Sequence, residues 1–393
     1  MTDRLGDWVA LVDACYPESD AEGWDATGLQ VGDPTDPVDQ VLVCLDVTPA
    51  TLGEAVERGA GLVVAHHPLL FRPLARLTPA TAPGRLALAA ARGRVGILTA
   101  HTNLDVAVAG TSDPGVQVLG LTEVAPLVPA AAREGGCKLV TFVPAEVTAE
   151  VLAALAGAGA GRIGEYDECS FRVHGTGTFR PSATADPMVG DRGRRNEVGE
   201  DRLEMVVPSG RLAGVVAALR ESHPYEEVAY DVLPLLHPPQ AGKGLGRVGT
   251  LPAPLALRDA ADRLVAGLPS PHLRVAGDLD RPVRRVAVCG GAGDSLIGAA
   301  LRAGADLYVT GDLRHHVTLD ALTAGLALID AGHHATEAAA LPAFQQVLAA
   351  AAADRGLTGR LLASQVSTDP WVDYPSEPST RWADDRRRGG GPH

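Results

Sequence analysis

The chain contains one strand–turn–helix–strand pattern twice, and this repeat restricts the possible folds more than any other feature. QVLVCLDVTPATLGEAVERGAGLVVAHHP (residues 40–68) aligns without a gap with RVAVCGGAGDSLIGAALRAGADLYVTGDL (residues 285–313). In the first copy, Thr48 is a good residue to start a helix and Gly59 a good residue to end one. A strand–helix–strand unit places its two strands parallel. The repeat therefore predicts an α/β protein with two similar halves.

Histidines and carboxylates follow four short apolar segments, in VVAHHP, AHTNLD, VTGDLRHH and DAGHHATE. Seven of the 12 histidines fall there: His66, His67, His101, His315, His316, His333 and His334. A single histidine pair is often ordinary packing. Four strand endings are harder to explain that way, because ligands collect at the carboxyl ends of strands in α/β sheets. We expect two facing halves to bring these side chains to one central cleft.

The segment between the halves has a different pattern. Residues 135–240 run strand, helix, strand, strand, helix, strand, which is the ferredoxin-like α+β plan. We therefore expect an inserted domain at 135–240, between a first core half at 1–130 and a second at 245–366. Residues 367–393 are rich in Pro, Ser, Asp, Arg and Gly without a hydrophobic period, which predicts a disordered tail.

Composition excludes several classes of protein. The 393 residues include 48 acidic and 34 basic side chains, a net charge of -14, which disfavours nucleic acid and anionic membranes as partners. No stretch has the length and apolarity of a membrane helix, and the first residues do not resemble a secretion signal. We expect a cytoplasmic protein. The five cysteines form no CxxC pair, so neither a disulfide framework nor a thiolate zinc site is indicated.

Four motifs together resemble a known family. VVAHHPLLF, AHTNLDVA, YVTGDLRHH and DAGHHATE are similar to those of the NIF3-like proteins, often labelled GTP cyclohydrolase type 2 homologues, over about residues 5–366. The insert resembles the trimeric PII and CutA proteins through CSFRVHGTGTFRP and HPYEEVAYDVLPL. The resemblance implies two divalent metal ions per subunit. Their implied ligands are His66, His67, Asp105, His333 and Glu337, with His334 as the other imidazole of the second pair.

The chemistry of these ligands indicates a hydrolase. Imidazole and carboxylate without thiolate suit zinc, iron, manganese, cobalt or nickel. A carboxylate shared by two ions is typical of two-metal hydrolases, and we expect Glu337 to be that bridge. His101 and His316 are candidate catalytic residues that orient ligands or transfer a proton. For His316 the alternative is a role in packing or at a helix start.

CGGAGDS, residues 289–295, follows a strand and opens a helix. Leu296 stands where the dinucleotide-binding fingerprint requires glycine, so a Rossmann cofactor is disfavoured. Two interpretations stay open for Gly291 and Gly293. They form a tight turn, or their backbone N–H groups bind a phosphate of the substrate.

These observations predict a metal-dependent hydrolase acting on a small molecule, such as a nucleotide, with GTP indicated by the resemblance alone. The alternative is a metal-dependent regulatory or binding scaffold without turnover. The likeness of the insert to trimeric proteins, together with the usual symmetry of soluble homo-oligomers, predicts a homohexamer whose inserts group as trimers.

Overall fold

Three β-sheets organise this mixed α/β chain in a computed structural model that describes residues 2–131, 133–164, 166–237, 241–269 and 273–372. The chain divides into two compact units. The first combines Met1–Ala130 with the residues from Ala241 onward, and the second is Ala131–Gln240. Of the predicted tail, residues 373–393 lie outside the described residues. Within the described part of the chain, no helix is both long and apolar enough to cross a membrane.

The strands, in chain order, are β1 (Gly28–Val31), β2 (Gln40–Cys44), β3 (Leu62–Ala65), β4 (Gly96–Thr99), β5 (Thr122–Pro129), β6 (Arg133–Pro144), β7 (Ser170–Phe179), β8 (Asn196–Val207), β9 (Tyr230–His237), β10 (Gly244–Ala256), β11 (Arg274–Ala276), β12 (Pro282–Ala292), β13 (Leu307–Gly311), β14 (Ala327–Asp330) and β15 (Arg360–Ala363).

The α-helices are α1 (Leu5–Cys15), α2 (Pro49–Glu57), α3 (Ala82–Gly93), α4 (Thr102–Asp105), α5 (Asp113–Leu119), α6 (Thr148–Gly157), α7 (Leu212–Ser222), α8 (Leu257–Gly267), α9 (Ile297–Arg302), α10 (His315–Thr323), α11 (His333–Ala338) and α12 (Leu341–Asp354). Short 3₁₀ helices occupy Glu18–Asp20, Ser209–Arg211 and Asp294–Leu296.

The first sheet has the strand order β1-β4-β3-β2-β15. Neighbouring strands from β4 to β15 are parallel, and β1 pairs antiparallel with β4. Val41 and Val43 pack toward α1 and α12, whereas Leu42 and Cys44 pack toward α2 and α3. Because both faces are covered, the central strands are continuous apolar runs, as in LVVA of β3.

The second sheet has the order β11-β14-β13-β12-β10-β5. β12, β13 and β14 are parallel, and the order β12-β13-β14-β11 repeats the order β2-β3-β4-β1 of the first sheet. The predicted boundaries of α2 also match, because Thr48 caps α2 by accepting from the Thr51 N–H and Gly59 has a left-handed φ of 69°. Gly304, which aligns with Gly59 in the second copy, has a φ of 68°. The repeated sequence pattern thus corresponds to a repeated arrangement of strands.

The second unit follows the predicted order of strand, helix, strand, strand, helix, strand. Its sheet is antiparallel throughout, with the order β7-β8-β6-β9. Leu139, Leu203 and Met205 form its core with Val151 of α6 and Val215 of α7. Both helices therefore cover one face of this sheet.

Candidate metal centre

Strand ends of the first unit bring the predicted ligands together. His66 and His67 follow β3 directly, and their backbone N–H groups donate to Cys44 and Leu45 beside the end of β2. The one-turn helix α4 after β4 carries Asp105, and α11 after β14 carries His333 and Glu337. Potential ligand atoms lie within 4.8 Å of one another in three groups: His66, Asp105 and Glu337; His67, His333 and Glu337; and His66, His67 and His101.

Glu337 belongs to two of these groups because its two oxygens face different partners. Its Oε1 lies 3.6 Å from His66 Nε2, and that nitrogen lies 3.7 Å from Asp105 Oδ1. Its Oε2 lies 3.0 Å from His67 Nε2 and 3.1 Å from His333 Nε2. Glu337 itself is buried. The carboxylate therefore stands between two sets of ligand atoms, as a shared ligand would.

Every imidazole of the cluster is oriented by an acceptor on its far side. The Nδ1–H of His66 donates to the Ala100 carbonyl, and those of His67, His101 and His333 donate to Asp46, Asp25 and Asp312 at 2.7 Å each. A proton on Nδ1 leaves Nε2 available as a ligand atom. Such acceptors fix the tautomer and ring direction of metal-binding histidines. Asp25 and Asp46 were missed by sequence reasoning because they lie in loops outside the four motifs.

The residues present fit a bound divalent cation. Among the described residues, the buried His66 Nε2 has no hydrogen-bond partner, and Glu337 Oε2 has none unless the His67 or His333 imidazole, 3.0 and 3.1 Å away, carries a proton on Nε2. Buried polar atoms are normally satisfied. Metal ions held by nitrogen and oxygen donors would satisfy these atoms, which makes the cluster a candidate metal centre.

The charges of the cluster depend on its close contacts. Burial opposes a charge on His67, but the Asp46 and Glu337 carboxylates outweigh it and raise the pKa of His67 to about 10. Glu337 and Asp312 likewise overcome burial and raise the pKa of His333 to about 9. Burial would raise the pKa of Glu337, but the surrounding imidazoles hold it well below its usual range. Without a metal, protons on the imidazoles therefore balance this carboxylate.

Close packing explains why both positions of the candidate anion site are glycine. At Gly291, where φ is 65°, a Cβ atom would lie 2.1 Å from Glu337 Oε1. The Gly291 N–H donates to Thr336 Oγ1, so it is not available to a phosphate. At Gly293 a Cβ atom would lie 2.3 Å from the Tyr308 hydroxyl. The tight-turn interpretation therefore accounts for both positions.

The structure does not bring His316 to the cluster. This residue lies in the first turn of α10, its side chain is exposed, and its ring lies 5.1 Å from that of His315. A position at a helix start, the alternative interpretation, describes it better than a catalytic role. His334 also turns away, with Nδ1 3.9 Å from Asp369, so His333 is the imidazole of that pair that faces the cluster.

A cavity of about 910 Å³ opens beside the cluster. His67, His333 and Asp312 form one part of its wall, and Pro370 and Trp371 form another. Thr368 donates to the Asp46 carboxylate that also holds His67, so the predicted disorder does not begin at residue 367. The cavity is large enough for a small organic ligand.

A repeated pair of α/β sheets whose strand ends assemble a shared-carboxylate cluster defines a candidate metal-binding α/β protein. The family model described as Duf34/NIF3 (NGG1p interacting factor 3) matches residues 4–370, and the chain belongs to this family. The resemblance inferred from the four motifs is thereby confirmed.

Similar proteins match along most of their lengths. A Mycobacterium tuberculosis protein named GTP cyclohydrolase 1 type 2 homolog is 42% identical over 374 residues, which cover 94% of this chain and 97% of the relative. A Bacillus subtilis relative of the same name is 42% identical over 327 residues, 83% of this chain and 87% of its own.

Solved structures show the same similarity. The crystal structure of a Bacillus cereus protein related to NIF3 has a TM-score of 0.67 and 38% identity, covering 95% of this chain and 100% of that one. The Staphylococcus aureus protein SA1388 has a TM-score of 0.73 and 26% identity, covering 94% and 99%.

Proposed function

We propose that the protein is a hydrolase that uses two divalent metal ions held by this cluster. The observation that carries the proposal is the buried Glu337 carboxylate, whose oxygens face two different ligand sets. His66, Asp105 and Glu337 would hold one ion, and His67, His333 and Glu337 would hold the other. Zinc, iron, manganese, cobalt and nickel all accept such donors.

The side chains around the ions have separable roles. Bound divalent ions would acidify a water molecule and stabilise negative charge developing on the substrate. Asp46 and Asp312 keep the Nε2 atoms of their histidines directed inward. His101, whose ring centroid lies 5.2 Å from that of His66 and 5.6 Å from that of His67, is the candidate for moving a proton. Its contact with Asp25 holds the proton on Nδ1, so Nε2 faces the site.

We propose a nucleotide as the substrate class. The relatives are named as homologs of a GTP cyclohydrolase. The reaction of such an enzyme requires water to attack an electron-poor ring carbon and a proton to reach a ring nitrogen. A hydrolytic metal site with an adjacent imidazole has the groups for both steps. Hydrolysis of a phosphate ester would use the same groups, so a substrate panel must include both kinds of bond.

The test compares metal content and turnover in matched variants. Wild-type protein grown with sufficient metal should contain two ions per subunit and should turn over at least one member of a nucleotide panel. Glu337→Gln should lose metal at both positions and Asp105→Asn mainly at one, and both variants should lose activity, whereas His316→Ala, outside the cluster, should keep metal and activity. A fully loaded wild-type protein that hydrolyses nothing across the panel would favour the scaffold alternative. If the folded protein contains one ion per subunit or none, the proposal of a two-metal site is contradicted.

A homohexamer with trimeric groups of inserts remains a separate proposal. It rests on the likeness of the insert to trimeric proteins and on the usual symmetry of soluble oligomers. The insert also exposes apolar side chains on its edge strands, including Phe171, Val173 and Leu236. Light scattering of the full chain tests it, and a monomer would dismiss it.

A further inference from the structure

Two exposed aromatic side chains lie next to the candidate metal centre. Trp24 and Phe71 are 61% and 44% exposed, and their ring centroids are 6.0 Å apart. Each also contacts the ring of His101, at 6.3 Å and 6.4 Å. Because His101 in turn contacts the rings of His66 and His67, the aromatic pair is continuous with the metal cluster.

Both aromatic residues are carried by anchored backbone. Asp25, which follows Trp24, accepts hydrogen bonds from His101 Nδ1 and from the backbone and hydroxyl of Thr102. Leu70, which precedes Phe71, donates its N–H to the Gln30 side chain at 2.9 Å. The contacts that orient His101 therefore also place Trp24. Such anchoring fixes where the two exposed rings stand relative to the cluster.

The shape and chemistry of the pair favour a flat ligand. The two rings meet edge to face, at an interplanar angle of 69°. Because Trp24 is 61% exposed and Phe71 44% exposed, part of each ring is accessible to a ligand. Aromatic side chains stack on any nucleobase because every base has a π face. A ring held against Trp24 or Phe71 would lie beside His101, the group proposed to move the proton.

We propose that Trp24 and Phe71 form a stacking wall that receives the planar heteroaromatic ring of the substrate beside His101. The inference rests on the proposed function and assigns Trp24 and Phe71 as the residues that receive the base of the proposed nucleotide substrate. The aromatic pair would favour ligands that carry a base over ligands that lack one. The metal cluster would bind next to the bond that reacts.

The stacking wall is tested by measuring, with calorimetry, how tightly GMP and ribose 5-phosphate bind to the metal-loaded full chain. Both probes contain the sugar and the phosphate, but only GMP contains a base. GMP should bind wild type more tightly. Trp24→Ala should weaken GMP binding about 5- to 150-fold, the range expected for loss of one stacking contact. Its affinity for ribose 5-phosphate should stay within about twofold. Phe71→Ala should act in the same direction, and Trp24→Phe should restore most of the affinity. Leu279 is an apolar side chain that is 44% exposed, like Phe71, but lies outside the cluster, so Leu279→Ala should change the affinity for neither probe.

Two results would contradict the proposed stacking wall. The first is equal affinity of the wild-type protein for GMP and ribose 5-phosphate, and the second is equal weakening of both affinities by Trp24→Ala. If Trp24→Ala changes the oligomeric state by light scattering without changing base selectivity, the pair contacts a second copy of the chain instead. Each titrated sample is also assayed for hydrolysis of the probe, which separates binding from turnover, so the two proposals fail separately. If GMP binds more tightly than ribose 5-phosphate but no nucleotide is hydrolysed, the stacking wall is supported and the proposed hydrolase activity is contradicted.

Discussion

Metal binding by this cluster should release protons, and Asp46 should determine part of that release. In the metal-free protein the pKa of His67 is raised to about 10 and that of His333 to about 9, so both rings are protonated at neutral pH. A metal ligand must be deprotonated. Loading the cluster at pH 7.5 should therefore displace about two protons from these rings. Its affinity should rise about a hundredfold per pH unit until the pH approaches 9.

Replacing Asp46 separates the contribution of His67. Asp46→Asn removes the negative charge 2.7 Å from His67 Nδ1, so the pKa of His67 should fall below about 10, although the Glu337 carboxylate still raises it. Loading at pH 7.5 should then release fewer protons than in wild type. Asp33→Asn, which changes an exposed carboxylate outside the cluster, is the matched control.

Calorimetric titration of cobalt into chelator-treated protein measures the release directly. Titrations in two buffers with different ionisation enthalpies give the number of protons, and circular dichroism confirms that the stripped protein is folded. Release of less than about half a proton by wild type would refute the linkage argument. Equal release by wild type and Asp46→Asn would refute the assignment to His67.

The same shifts make the metal-free fold depend on pH in a definite direction. The folded-state pKa of His67 lies above its unfolded value, so its stabilising contribution is fully present below about pH 6.5 and is lost as the pH rises through about 10. Urea unfolding in the presence of a chelator should therefore show stability falling across this window. A flat or rising profile would contradict the assigned charges.

Further predictions concern the shared ligand Glu337, the residues that position the cluster, and the insert. Glu337→Gln should lower metal occupancy at both positions, whereas Asp105→Asn should mainly affect one; elemental analysis showing equal, negligible losses would remove the ligand assignment. Gly291→Ala should cost about 1–2 kcal/mol in unfolding free energy because its φ is 65°, and should also displace Glu337 and reduce metal content. Thr368→Val should weaken cobalt binding through Asp46, and Thr368→Ser should restore it; unchanged affinity in the valine variant would contradict this coupling. Replacing residues 131–240 with a short Gly/Ser linker should leave metal content intact, because β5 and β10 are already paired at the cut ends; loss of metal from a folded core would show otherwise.

The candidate ligands could be predicted because their pattern is local. A short apolar strand followed by His66 and His67, and a later one followed by His333 and Glu337, place polar groups at strand ends. Parallel strands bring their carboxyl ends to one edge, so residues far apart in the chain are expected to meet there. The repeat at residues 40–68 and 285–313 predicts two sheets, each with such an edge. His101 joined the cluster for the same reason.

The orienting carboxylates and the fate of His316 could not be predicted in this way. Asp25 and Asp46 lie in loops, where side-chain direction has no period to follow, and only the folded backbone places them 2.7 Å from an imidazole. His316 follows a strand like the other histidines, but α10 begins one residue before it and its side chain is exposed. The sequence by itself determined the repeated α/β plan and the strand ends that carry chemistry, because both depend on local periodicity. Tertiary structure alone decided which atoms face one another, because ligand direction depends on contacts between residues distant in the chain.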